Sequence, residues 1–168
     1  HDSGNAQIVF QRFKSDGAKQ GSQITVNQNA AGNQTYPRAA VLADGKIAFA
    51  FLTDGGNEGE DNIVHIRMFS SSGVADGPEM TVGDSAQGDQ SHPAITAVSD
   101  QGFAVGSTTL SGGEDTLGTI RVRKYDLAKQ SIGTPIVIAD DSESDVEFPG
   151  SQGELAMVGT KDNRIVVV

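Results

Sequence analysis

The sequence predicts an all-β chain of β-propeller-type blades, arranged as three four-stranded repeats. Three observations predict it. Displaced by 56 residues, the 168-residue chain matches itself without gaps over most of its length. Each copy holds four short strand-like segments divided by turn signals. No segment carries a helical stripe: residues 127–132 come nearest, and Gly133 and Pro135 stop them early.

The self-match is specific at several points. Ile8, Val64 and Ile120 coincide, as do Phe10, Ile66 and Val122. Gln11, Arg67 and Arg123 align, then Phe13, Phe69 and Tyr125. Gly21, Gly77 and Gly133 follow, then Val26, Val82 and Ile138. The clearest markers are Tyr36-Pro37, His92-Pro93 and Phe148-Pro149, preceded at one spacing by Asn33, Asp89 and Asp145. After Pro149 the third copy needs a short insertion. Arg164-Ile165-Val166-Val167 then continues the pattern of Lys46-Ile47-Ala48-Phe49.

The elements of the first full unit can be read in order as residues 38–43, 47–52, 63–69 and 79–82. Asp44-Gly45 divides the first two and is a strong hairpin signal. A polar loop at 54–62 separates the second from the third, and residues 70–77 separate the third from the fourth. Along 63–69, Ile63, His65, Arg67 and Phe69 alternate with Val64, Ile66 and Met68, which suits a strand in a covered sheet. Four antiparallel strands per repeat is the make-up of a propeller blade. The single repeat domain, 1–168, then divides unevenly. Residues 8–36 supply only a blade's last two strands, 37–92 and 93–148 are full blades, and 149–168 supply only the first two strands. Propellers typically have 4–8 blades, and half-blades leave open strand edges. If the chain is complete, the expectation is therefore a homo-oligomer, a dimer closing a six-bladed ring. A piece of a larger propeller, or a pseudo-threefold β-trefoil or β-prism, are the alternatives. A trefoil usually carries a Gln-x-Trp motif, and this chain has no Trp.

Composition narrows the function. Lys and Arg number 12 against 22 Asp and Glu, a net charge of −10, so a polyanion such as nucleic acid is repelled. No apolar run approaches the length of a membrane-spanning helix. With no Cys there is no disulfide and no thiolate metal site. An acidic, Gly-, Asp-, Asn- and Ser-rich chain without Cys suits a secreted, extracellular bacterial protein.

Several stretches carry a resemblance. They are Gln11-Arg12-Phe13-Lys14-Ser15-Asp16-Gly17, Val26-Asn27, Gly32-Asn33-Gln34-Thr35-Tyr36-Pro37 and Leu42-Ala43-Asp44-Gly45. Together they resemble a tandem repeat of large bacterial secreted proteins, the calcium-binding or adhesin-like proteins of the repeats-in-toxin kind. The second copy keeps Arg67-Met68-Phe69 and Gly88-Asp89-Gln90-Ser91-His92-Pro93; the third keeps Tyr125, Gly133 and Phe148-Pro149. A looser resemblance is to sialidase-type propeller repeats with their Asp-box turn. Ser15-Asp16-Gly17 and Ser72-Gly73 occupy that turn here, with altered spacing and without the Trp.

Two candidate sites follow. Tyr36 and His92 offer rings for stacking on a sugar, with Asn33, Gln34, Asp89 and Gln90 beside them to hydrogen-bond hydroxyls. The competing role is packing between blades, which suits Phe148 best. Asp54, Asn57, Glu58, Glu60 and Asp61 form an oxygen-rich loop of the kind Ca²⁺ requires, against the alternative of a solvated loop. Glu114 with Asp115, and Asp140, Asp141, Glu143 and Asp145, are further acidic clusters. Arg12, Arg67, Arg121 and Arg123 are expected to form cross-strand ion pairs, and His65 to lie at a surface or interface. The leading expectation is a non-enzymatic, lectin- or adhesin-like module for a glycan or cell-surface ligand, with Ca²⁺ as its cofactor. A glycosidase or lyase on the same architecture and a structural spacer of a large adhesin are the alternatives.

Overall fold

In the computed structural model the described residues are 5–54, 62–83, 89–99, 102–110, 119–139 and 155–168. Among them there is no helix, and every strand lies in an antiparallel sheet. Sheet 1 is β1 (Val9–Phe13) and β2 (Lys19–Thr25). Sheet 2 runs β3 (Gln34–Val41), β4 (Ile47–Thr53), β5 (Ile63–Phe69) and β6 (Met80–Thr81) in chain order. Sheet 3 repeats it with β7 (Asp89–Val98), β8 (Gly102–Leu110), β9 (Thr119–Tyr125) and β10 (Ser131–Ala139). Sheet 4 is β11 (Met157–Gly159) and β12 (Ile165–Val167). None of the four closes on itself.

The sheets stack face to face, because each strand alternates apolar residues toward its two neighbours. On β4, Phe49 and Phe51 join Ile8, Val26 and Phe69 in a cluster between sheets 1 and 2. Ala48, Ala50 and Leu52, one residue out of phase, join Val64, Ile66, Met68, Phe103, Val105 and Tyr125 between sheets 2 and 3. Ala104 and Val122 face the other way, with Met157, Ile165 and Val167 of sheet 4. The alternation of residues 63–69 is thus the device that lets one strand serve two cores. The leading strands also lie side by side, β3 against β7 and β7 against β11.

Register repeats with the sequence. Phe49 pairs with Arg67 and Val105 with Arg123; Ile66 pairs with Met80 and Val122 with Ile136. The turn at Asp44-Gly45 is closed by Gly45 N–H donating to Leu42 O, with Gly45 at φ 81°, a conformation that costs a glycine least. Sheet 4 repeats that turn with Asn163 N–H on Thr160 O and Asn163 at φ 64°.

The leading strands depart from the expected boundaries. β3 begins at Gln34, so Tyr36-Pro37 lies inside the strand. The register shifts between Thr35 and Arg38, and between Ser91 and Ala94. Proline has no N–H for the ladder, and a bulge absorbs it there without ending the strand.

Candidate functional site

The two bulges set the candidate ligand pair. Tyr36 and His92 take left-handed backbone conformations, φ 50° and 48°, which are rare for bulky residues. The bulges turn both side chains to one edge of the stack. Their rings stand 6.1 Å apart with planes inclined at 48°. Tyr36 is 53% exposed and His92 half-buried, so the pair forms a shallow open surface.

Their polar neighbours are placed differently. Gln34 and Gln90 are both buried, at 3% exposure. The Gln34 amide donates to Ala31 O and accepts from the Thr53 hydroxyl. The Gln90 carbonyl accepts the Val64 N–H at 2.7 Å, while its amide donates to Val82 O. Asn33 Oδ1 accepts the Ala6 N–H, and the repeat-equivalent Asp89 Oδ1 accepts the Asn62 N–H. These four side chains anchor the start of each leading strand, Asn33, Asp89 and Gln90 by tying it to the preceding sheet. The signal was in the sequence: Ala6 and Asn62 are themselves 56 residues apart.

Of the proposed calcium ligands, Asn57, Glu58, Glu60 and Asp61 lie outside the described residues, as do Phe148 and the other acidic clusters. Asp54 is described. Both its carboxylate oxygens accept from Asn33, one from the backbone and one from the side chain at 2.7 Å. It sits over Gly32, where a Cβ would fall 2.3 Å from Asp54 O. Among the described residues no cluster of metal-ligating side chains is found.

In the gap between sheets 1 and 2, His65, expected at a surface or interface, meets Glu79. His65 Nδ1 lies 3.0 Å from Glu79 Oε1, and its ring stacks on Phe51 at 5.9 Å. Glu79 Oε2 accepts the Gln28 N–H at 2.7 Å, joining sheet 2 to the chain leaving sheet 1. Burial pushes the Glu79 carboxyl up, but the bonds from His65 and Gln28 outweigh it and hold it below the usual range. Only the pairing of β6 beside β5 brings residues 65 and 79 together.

Among the described residues the arginines form none of the expected ion pairs, and Arg12 donates to Ser71 O instead. Among the described residues, Arg67, Arg121 and Arg123 have no acidic partner. Arg67 instead covers the Phe69 ring at 5.7 Å. Arg121 and Arg123 line a cavity of about 20 Å³ between sheets 2 and 3, with Ser107, Thr109, Gln90, Val82 and Gly83. Arg121 Nε is buried with no hydrogen-bond partner. The neighbouring Tyr125 hydroxyl is pushed up by burial, with Arg123 acting against that.

The described residues therefore define an all-β stack of repeated antiparallel sheets. The chain matches no protein-family model, no curated protein and no solved structure.

Proposed function

We propose that this chain is a non-enzymatic, extracellular binding module that holds a glycan against Tyr36 and His92. One observation carries the reading. Two ring side chains at equivalent repeat positions are both held in costly left-handed backbone, and they stand together at an exposed edge. Backbone strain of this kind persists where the surroundings impose it, and it gathers at binding surfaces. An open pair of rings suits the flat apolar face of a sugar, and their polar atoms suit its hydroxyls. The test is a glycan array probed with the wild type and with Tyr36→Ala/His92→Ala. Binding that disappears in the double variant supports the site; binding that persists removes it.

The same reading includes the assembly. The four sheets are two full blades of a propeller flanked by two half-blades, and a second copy completes the ring. β12 and β1 each have an unpaired edge among the described residues. In the complete sheets Ile47 pairs with Phe69 and Phe49 with Arg67. Carried over by the repeat, Ile165 meets Phe13 of the partner subunit and Val167 meets Gln11 of the partner subunit. The pleat agrees. Ile165 and Val167 face sheet 3, and Phe13, 57% exposed, extends that face once paired. Val166 and Val168, also exposed, fall on the face that Phe10 uses against sheet 2. Light scattering at micromolar concentration should give twice the chain mass, and a monomer would rule out the ring.

A further inference from the structure

We propose that the gap between sheets 2 and 3 is a binding site for a carboxylate group, held by Arg121 and Arg123. The inference is independent of the Tyr36–His92 reading. It rests on two equivalent gaps in one chain with different contents. Strand pairing fixes the equivalence: His65 pairs with Thr81 as Arg121 pairs with Val137. Residue 79 therefore corresponds to 135, 51 to 107 and 27 to 83.

In the first gap Phe51 is fully buried, Asn27 is buried at 7% exposure, and the Glu79 carboxylate lies 3.0 Å from His65 Nδ1. In the second gap Ser107 stands in the place of Phe51 and Gly83 in that of Asn27. Arg121 replaces His65, and Pro135 replaces Glu79. Two large side chains and the carboxylate are gone, and the cation has become permanent. The space left is the cavity. Arg121 and Arg123 are two residues apart on β9 and both line it, with no acid opposite among the described residues. Paired cations beside a cavity repel each other unless an anion joins them. The chain carries 22 acidic residues, yet β10 presents Pro135 at the position that Glu79, just before β6, holds in the first gap.

Chemistry selects the ligand. Guanidinium is a planar fork that matches a carboxylate. Ser107 and Thr109, buried at 5% and 3%, line the same cavity, and their hydroxyls make no hydrogen bond among the described residues. They are donors for the second oxygen. The two guanidinium groups and the two hydroxyls line one small space, about 20 Å³, and a planar carboxylate offers two oxygens to them. The bound carboxylate takes the position that the Glu79 carboxylate holds in the first gap.

A carboxylate can come from a small free acid or from an acidic sugar. The test titrates the full chain with sodium acetate, sodium glucuronate and glucose at ionic strength matched with sodium chloride, reading heat and the thermal midpoint. A midpoint that rises with acetate and glucuronate assigns the free carboxylate; a rise with glucuronate alone assigns an acidic sugar. Either supports the site if Arg121→Gln/Arg123→Gln weakens binding by about tenfold or more. Ser107→Phe, which restores the residue of the first gap, should fill the cavity and abolish the response. Pro135→Glu should do the same by supplying an internal carboxylate, and should raise the midpoint without ligand. No response beyond chloride, a response to glucose equal to that to glucuronate, or a response unchanged in the arginine and Ser107→Phe variants overturns the proposal.

Discussion

The two central gaps share a register and differ in what fills them. Between sheets 1 and 2 the filling is aromatic: Phe10 lies 4.9 Å from Phe49 and 5.1 Å from Phe69, and Phe51 carries the His65 ring. Its ionisable pair is closed on itself. Between sheets 2 and 3 the filling is mainly aliphatic, with Phe103 stacked on Tyr125 at 5.2 Å, and the cavity is lined by hydroxyls and by guanidinium groups with no acidic partner among the described residues. The pairings at the equivalent positions repeat, Phe51 with His65 as Ser107 with Arg121, so this part of the ladder does not depend on one filling. A repeat that keeps its pairings while it loses a carboxylate and an aromatic has been freed from packing at that point.

The sharpest way to break this comparison is to empty both gaps at the same position. Phe51→Ala removes a fully buried ring and should cost about 3–5 kcal/mol. Ser107→Ala removes one hydroxyl beside a cavity and should change stability by about 0.5 kcal/mol or less. Urea unfolding of the two variants measures both. Similar losses would show that Ser107 is as much a packing residue as Phe51, and the cavity would lose its meaning.

A smaller effect tests the closed ion pair. Glu79→Gln keeps the shape and removes the charge that His65 and the Gln28 amide bind. It should cost about 1.5–3 kcal/mol at neutral pH, the range for hydrogen bonds to a charged group. The sign with pH follows from the lowered Glu79 pKa. The stabilisation is complete above the ordinary glutamate range. It is lost as pH falls through the lower folded value, where the carboxyl takes a proton. Stability measured from pH 7 to pH 3 should therefore fall more steeply in the wild type than in Glu79→Gln. Parallel curves would mean that Glu79 contributes no linkage.

Much of the fold was legible because its cause is periodic. The 56-residue offset and the alternation of 63–69 come from strands that must serve two cores, so they leave a mark on every second residue. The four-segment phase is visible in the sheets as two pairs flanking two sets of four. The site was less legible. Asn33, Gln34, Asp89 and Gln90 read as ligand-binding because they are polar and beside rings, yet the structure spends them on joints within and between sheets. Polarity in sequence does not say whether a hydrogen bond is already made. The cavity was hidden for a different reason. It exists because Ser107, Gly83 and Pro135 are smaller or less polar than their repeat partners, and a search for chemistry-bearing residues passes over what is missing. The differences between the copies at these three positions carry the signal.

The smallest expected effect has the opposite sign and separates strain from packing. Tyr36 is half exposed and sits at φ 50°, where an L-residue is disfavoured by about 1–2 kcal/mol and glycine is not. Tyr36→Gly relieves that strain but gives up some ring contact and adds unfolded-state entropy. The balance should raise stability by up to about 1 kcal/mol. Glycan binding, if it rests on the ring, should vanish in the same variant. Tyr36→Ala keeps the strain and loses the ring, so it should be the less stable of the two and equally inactive. A residue kept at a backbone cost, whose removal stabilises the chain and silences it, is held there for its surface. Should Tyr36→Gly destabilise the chain by as much as a buried aromatic would, the ring is part of the packing between β3 and β7, and the edge it forms is no binding surface.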